Sequence, residues 1–221
     1  MNQPILVFDL DGTLMNSREG ILRCIAHALR TLGRDVPDEA DLERLIGAPL
    51  RQMFVTLLGS GDMADSAVGV FRERYGSEGL YECCLYPGIA EALEVLERES
   101  AAMFVATSKP RHYAEQVLAH FGLTRFFRRI YGSEFTGERA DKSELLEHLI
   151  REETLTPSDV VMIGDRQHDV AAALANGTES IGVLWGYGSA EELRDAGAAH
   201  LCVSPAELQQ QLATLRVAQN V

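Results

Sequence analysis

Asp9 and Asp11 stand at the end of the apolar run Ile5-Leu6-Val7-Phe8 and are followed at once by Gly12-Thr13. In extended backbone, side chains two apart point the same way, so both carboxylates can face one site at the end of a strand. Two carboxylates that close repel, and one tends to keep its proton unless a cation neutralises the pair. A hard, oxygen-seeking ion such as magnesium suits that role. Taken alone, Asp11-Gly12 is also an ordinary strand-ending turn.

The elements that must position these acids follow from the hydrophobic pattern. A short apolar run bounded by polar residues and Gly reads as a buried strand, and Gly12 lets the chain turn sharply away from it. From Gly88 onward strands alternate with helices. Strands are predicted at Met103–Ala106, near Arg129–Tyr131, and at Val160–Ile163, Ser180–Val183 and His200–Val203. Helices are predicted at Gly88–Arg98, Arg111–His120, Lys142–Glu153, Gln167–Asn176, Ala190–Asp195 and Pro205–Leu215, with a fraying tail over Arg216–Val221. That alternation implies an α/β fold with a Rossmann-like parallel sheet and helices on both faces. Between Met15 and Glu82 no segment reads as a strand. Helical periodicity runs over Ile21–Leu32, Asp38–Ile46, Leu50–Leu58 and Met63–Tyr75, broken by Gly33, Gly47-Ala48-Pro49 and Gly59-Ser60-Gly61.

Ligands of a parallel sheet gather at the carboxyl ends of its strands. Three of those ends carry polar residues: Asp9 and Asp11, then Thr107-Ser108-Lys109-Pro110, then Gly164-Asp165-Arg166-Gln167-His168-Asp169. Thr107 is also a plausible helix cap, and Lys142 taken alone is an ordinary surface lysine.

Together these stretches resemble the haloacid dehalogenase-like hydrolases, whose first motif is D-x-D-G-[TV]. The resemblance implies an α/β core over residues 1–14 and 84–221, with an α-helical cap inserted over 15–83. It implies that Asp9 attacks phosphorus and becomes an aspartyl phosphate, while Asp11 serves as general acid and then general base. Thr107 and Ser108 match a phosphate-binding motif, and Lys142 matches the lysine that opens a helix beside the acids. Asp165 would ligate Mg2+ with the Asp9 carboxylate and the Asp11 backbone carbonyl, and Asp169 would stand behind them and pair with Lys142. The presence of Asp11 argues for phosphate chemistry over carbon–halogen cleavage.

Likeness extends over nearly the whole chain and points to a phosphatase acting on a small phosphorylated metabolite, phosphoglycolate phosphatase-like. The run Tyr131–Gly137 with Arg139 and Lys142 also resembles bacterial 5′-nucleotidases acting on nucleoside monophosphates. A phosphotransferase or mutase is a more distant alternative, since Asn16-Ser17-Arg18-Glu19 lacks the His found after the first motif in the sugar-phosphate mutases. Selectivity is expected in the cap, at Gly47 and at Arg51, which could pair with a polar leaving group or stay solvated.

Bulk composition agrees with an ordinary soluble globular chain of 221 residues, 46% hydrophobic and 24% charged. A formal charge of −13 disfavours binding to a nucleic-acid polymer. No basic-then-apolar leader or long apolar stretch is present, so a cytoplasmic protein without membrane attachment is expected, as monomer or homodimer. The four cysteines show neither metal nor framework spacing, and Cys83 and Cys84 are expected as free, semi-buried thiols. His168 is expected to be exposed at a helix start, and Trp185 to cover the core edge. Gly186-Tyr187-Gly188 begins like a dinucleotide-binding motif but lacks the third Gly.

Overall fold

The computed structural model describes residues 4–99 and 101–218. In chain order its elements are β1 (Ile5–Phe8), β2 (Met15–Asn16), α1 (Arg18–Thr31), α2 (Glu39–Glu43), α3 (Leu50–Leu58), α4 (Gly61–Arg74), a π-helical turn (Tyr75–Gly79), β3 (Cys84–Leu85), α5 (Ile89–Arg98) and β4 (Ala102–Pro110). Then follow α6 (Arg111–His120), β5 (Arg129–Ser133), α7 (Lys142–Glu152), β6 (Val160–Gly164), α8 (Gln167–Ala175), β7 (Glu179–Val183), α9 (Ala190–Asp195), β8 (His200–Cys202) and α10 (Pro205–Ala218). The chain divides into two compact units, Met1–Met15 with Leu85–Val221, and Asn16–Cys84.

The first unit holds a six-stranded sheet in the order β5-β4-β1-β6-β7-β8. All its pairings are parallel. β1 lies between β4 and β6 with Phe8 level with Val105 on one side and Ile163 on the other. A strand covered on both faces has no reason to alternate polar residues, and β1 is accordingly apolar throughout. One face packs Val7, Phe104, Ala106 and Met162 against Leu145, Leu146 and Leu149 of α7 and Ala172 and Ala173 of α8. Each such leucine contributes about 1.5–3 kcal/mol by leaving water. The connection from β1 runs toward β4 and that from β6 toward β7, so a crevice opens between β1 and β6 at their carboxyl ends.

The second unit is helical. α1 buries Ile21, Leu22, Ile25, Ala28 and Leu29, the stripe its periodicity demands. Phe71 stacks on Tyr75 with ring centroids 5.2 Å apart and meets Phe54 edge-to-face at 6.1 Å. Gly20 crosses the π-helical turn so closely that a side chain there would strike the Gly79 carbonyl.

Three expectations need correction. α2 stops at Glu43, because the next amides bond three residues back, Leu45 to Leu42 and Ile46 to Glu43, tightening the chain out of α geometry before Gly47 turns it at φ +98°. The segment read as strand-free begins with β2, which pairs with β3; two-residue strands carry no readable period. Cys84 is exposed, although all four cysteines are free. Of the tail expected to fray, residues 219–221 lie outside those described.

Candidate active site

β1 delivers Asp9 to the crevice, and the Asp9 amide donates to the Ile163 carbonyl of β6 at 2.8 Å. The chain then folds back at once. Thr13, Leu14 and Met15 amides all point at the Leu10 carbonyl (3.3, 2.9 and 3.1 Å). Gly12 adopts φ +89° there, and a side chain on it would run into the Asp165 carboxylate. Glycine is required on both counts.

β6 ends in Gly164 and passes directly into Asp165, which is fully buried. Asp165 Oδ2 accepts from the Tyr187 amide at 2.7 Å, and Oδ1 accepts from Thr13 Oγ1 at 3.4 Å. Side chains at Gly186 or Gly188 would collide with Asp165, so Gly186-Tyr187-Gly188 is a clamp on this carboxylate. Trp185 fixes the same loop by donating from Nε1 to the Thr13 carbonyl at 2.9 Å. Asp169, in the first turn of α8, accepts from the Arg166 amide at 3.1 Å and so satisfies an otherwise orphaned helix-start donor.

Lys142 opens α7, whose start is fixed by Asp141 accepting from Ser143 and Glu144 amides at 2.8 and 3.1 Å. Its ammonium, only 5% exposed, donates to Asp9 Oδ1 at 2.7 Å and the Ala106 carbonyl at 3.1 Å, and lies 3.0 Å from Asp169 Oδ1. Asp9, Asp165 and Asp169 each offer an oxygen within 4.8 Å of the others. Burial pushes the Asp9 carboxyl up to about 6 against the pull of Lys142. Burial likewise raises Asp165 well above the usual carboxylate range, with Asp169 and Asp9 adding to it. Burial works against the Lys142 charge, but Asp169 and Asp9 outweigh it and raise its pKa. Three buried carboxylates gathered beside a single ammonium outnumber the positive charge available to them. An oxygen-donor set of that kind fits a hard divalent cation.

Thr107 is buried, and its Oγ1 accepts from the Lys109 amide at 3.2 Å where the register of β4 slips. Ser108 is half-buried beside it, its carbonyl held by Ser133 Oγ at 2.8 Å. The slip turns Lys109 inward, and its Nζ reaches Asp11 Oδ1 at 2.5 Å. Sequence reasoning assigned no role to Lys109; its position in a run at a strand end beside the acids was the available signal. His168 is half-buried rather than exposed, because α8 starts against the crevice, and burial lowers its pKa. Gly47 and Arg51 belong to the helical unit. Arg51 is an exposed helix residue gripped at two points by Asp65, at 2.7 and 3.2 Å.

A family model described as haloacid dehalogenase-like hydrolase matches residues 6–183. The chain belongs to the haloacid dehalogenase-like hydrolases. Within that family it is similar to a 5′-nucleotidase of Pseudomonas aeruginosa, 45% identical over 96% of each chain. Tyrosine-protein kinase PtkA of Mycobacterium tuberculosis is 35% identical over 85% of this chain and 64% of its own. A phosphoglycolate phosphatase of Vibrio parahaemolyticus matches at 27% over 86% and 87%. Among solved structures, a predicted phosphatase from Clostridium acetobutylicum superposes with a TM-score of 0.93, at 34% identity over 97% of this chain and 100% of that one. This haloacid dehalogenase-like hydrolase is a phosphatase, in the class of phosphoric monoester hydrolases. Among the described residues, no helix is long and apolar enough to cross a membrane.

Proposed function

We propose that this phosphatase hydrolyses nucleoside 5′-monophosphates, through an aspartyl phosphate on Asp9 and with Mg2+ as cofactor. The observation that carries the chemistry is the buried grouping of Asp9, Asp165 and Asp169, two of which, Asp9 and Asp169, hold the Lys142 ammonium. The substrate class rests on the extent of likeness to the Pseudomonas 5′-nucleotidase, which covers nearly all of both chains. Phosphoglycolate, the leading expectation from sequence, becomes the comparison substrate.

The residues divide the work as phosphoryl transfer requires, which is mostly positioning and charge neutralisation. A carboxylate oxygen of Asp9 attacks phosphorus in line, and the bond from phosphorus to the ester oxygen breaks. Asp11, oriented by Lys109, gives its proton to the departing alkoxide. Water then attacks the aspartyl phosphate, Asp11 takes its proton, and the Asp9–phosphorus bond breaks to release phosphate and restore both acids. Lys142 and the Thr107 and Ser108 segment neutralise the phosphoryl oxygens. Asp9, Asp165 and the Asp11 backbone would hold Mg2+, with Asp169 behind them, and the ion would supply positive charge for the phosphoryl group.

The helical unit, Asn16–Cys84, is the proposed cap and source of selectivity. Phosphate release from a panel of nucleoside monophosphates, phosphoglycolate and sugar phosphates, with Mg2+ and with chelator, tests the reading. Preference for phosphoglycolate over every nucleotide would overturn the substrate; transfer to an acceptor without free phosphate would overturn hydrolysis.

A further inference from the structure

Phe135 is a large hydrophobic side chain left 41% exposed. The Tyr113 ring meets it edge-on at 5.2 Å, and the His112 ring lies 6.2 Å away. Strand topology explains why these rings meet. His112 and Tyr113 open α6 directly after β4, and Phe135 follows β5 by two residues. β4 and β5 are parallel neighbours, and β4 is also the neighbour of β1, so the cluster lies at the carboxyl edge that carries Asp9.

The cluster is tied to the catalytic residues at two points. Gly132 passes so near the chain that a side chain on it would sit 2.6 Å from the Lys109 carbonyl, and Ser133 Oγ donates to the Ser108 carbonyl at 2.8 Å. The loop bearing Phe135 closes on itself through Glu134 and Glu138, 2.9 Å, and through the Arg139–Glu134 ion pair, 2.7 Å. It then feeds Asp141, the cap of α7, and so Lys142. A small fixed loop therefore joins an exposed aromatic face to the phosphate-neutralising ammonium.

Exposed aromatic surface has a cost that binding can remove, and its shape selects the partner. A flat ring face bordered by polar groups, here His112 hydrogen-bonded to Gln116 at 2.7 Å, complements the face and edge of a heterocyclic base. A two-carbon acid offers no such face. We propose that Phe135, backed by Tyr113 and flanked by His112, is a stacking platform for the base of a nucleoside monophosphate whose phosphate is held at Asp9. The proposal rests on the nucleotidase reading and adds to it a base-recognition element in the α/β unit itself.

Binding to the Asp9→Asn protein with Mg2+, measured by calorimetry, tests it without turnover. AMP is expected to bind roughly tenfold more tightly than ribose 5-phosphate, since stacking a base on an aromatic ring is of that order. Phe135→Ala and Phe135→Leu should erase that difference while leaving ribose 5-phosphate unchanged, and Phe135→Trp should keep it. Equal affinities for AMP and ribose 5-phosphate, or a loss common to both in Phe135→Ala, would overturn the platform. Phosphate release by the unaltered protein is read separately: failure to hydrolyse AMP removes the nucleotidase reading whatever the affinities are.

Discussion

Lys109 Nζ lies 2.5 Å from Asp11 Oδ1, a contact between the slipped end of β4 and the turn after β1 in which both side chains are largely withdrawn from solvent. The pair gives Asp11 a fixed direction. Lys109→Met, which keeps the length of the side chain and removes its charge, should lower kcat on alkyl phosphates by roughly 10–100-fold, a part of the roughly 100–10,000-fold that a positioned general acid–base is worth. Loss on an aryl phosphate should be smaller, because that leaving group needs less protonation. Equal losses on both would show that Lys109 acts on binding or stability alone.

Separating the two acids needs the same pair of substrates. Asp9→Asn should abolish turnover on both, since no carboxylate oxygen remains to attack. Asp11→Asn should spare the aryl phosphate by comparison. A steady-state rate for Asp9→Asn close to that of the unaltered enzyme would remove the covalent step.

Mg2+ binding should raise the melting temperature, because it relieves repulsion among Asp9, Asp165 and Asp169. In the metal-free protein, burial holds Asp9 near 6, above its unfolded value of 3.8. A carboxyl raised on folding destabilises the native state once pH exceeds the unfolded value, and this effect is complete above about 6. Protons and cation therefore compete for this carboxylate. The Mg2+-induced rise in melting temperature should shrink between pH 7.5 and 5.5, and a rise that grows over this window would contradict the assignment.

Gly186→Ala places a methyl group against the Gly12 carbonyl and Asp165 Cβ. Asp165 must move, so Mg2+ affinity should fall about 10–100-fold, the usual consequence of disturbing the support of a metal ligand. Titration of the metal against protein stability measures this directly. An unchanged affinity would remove the clamp.

Arg51→Ala should leave stability almost unchanged, because an ion pair as exposed as Arg51–Asp65 is screened by water. If Arg51 leaves Asp65 to hold a leaving group, KM rises for that substrate and not for a featureless aryl phosphate. A uniform KM across substrates leaves it a surface residue.

Much of the candidate site was legible because the chemistry restricts residue type where the fold restricts position. A parallel sheet sends ligands to strand ends, and Asp9, Thr107 and Asp165 stood at predicted ends, with Asp169 in the first turn of the helix that follows the last of them. The helices α6 and α9 matched their periodicity residue for residue. Lys109 and the Gly186-Tyr187-Gly188 clamp were not legible. Their importance lies in what approaches them across the fold, a carboxylate in each case, and no local period encodes a distant neighbour. The two-residue strands and the π-helical turn escaped for the opposite reason, being too short to impose any pattern.

The place of β1 between β4 and β6 also orders events during synthesis. β1 leaves the ribosome well before either of its neighbours in the sheet, which begin at Ala102 and Val160. The intervening helices can gather locally long before then. Asp9 therefore waits on an unpaired apolar strand until the segment through β6 has emerged, and the nascent chain must be kept from aggregating through β1 for the whole interval.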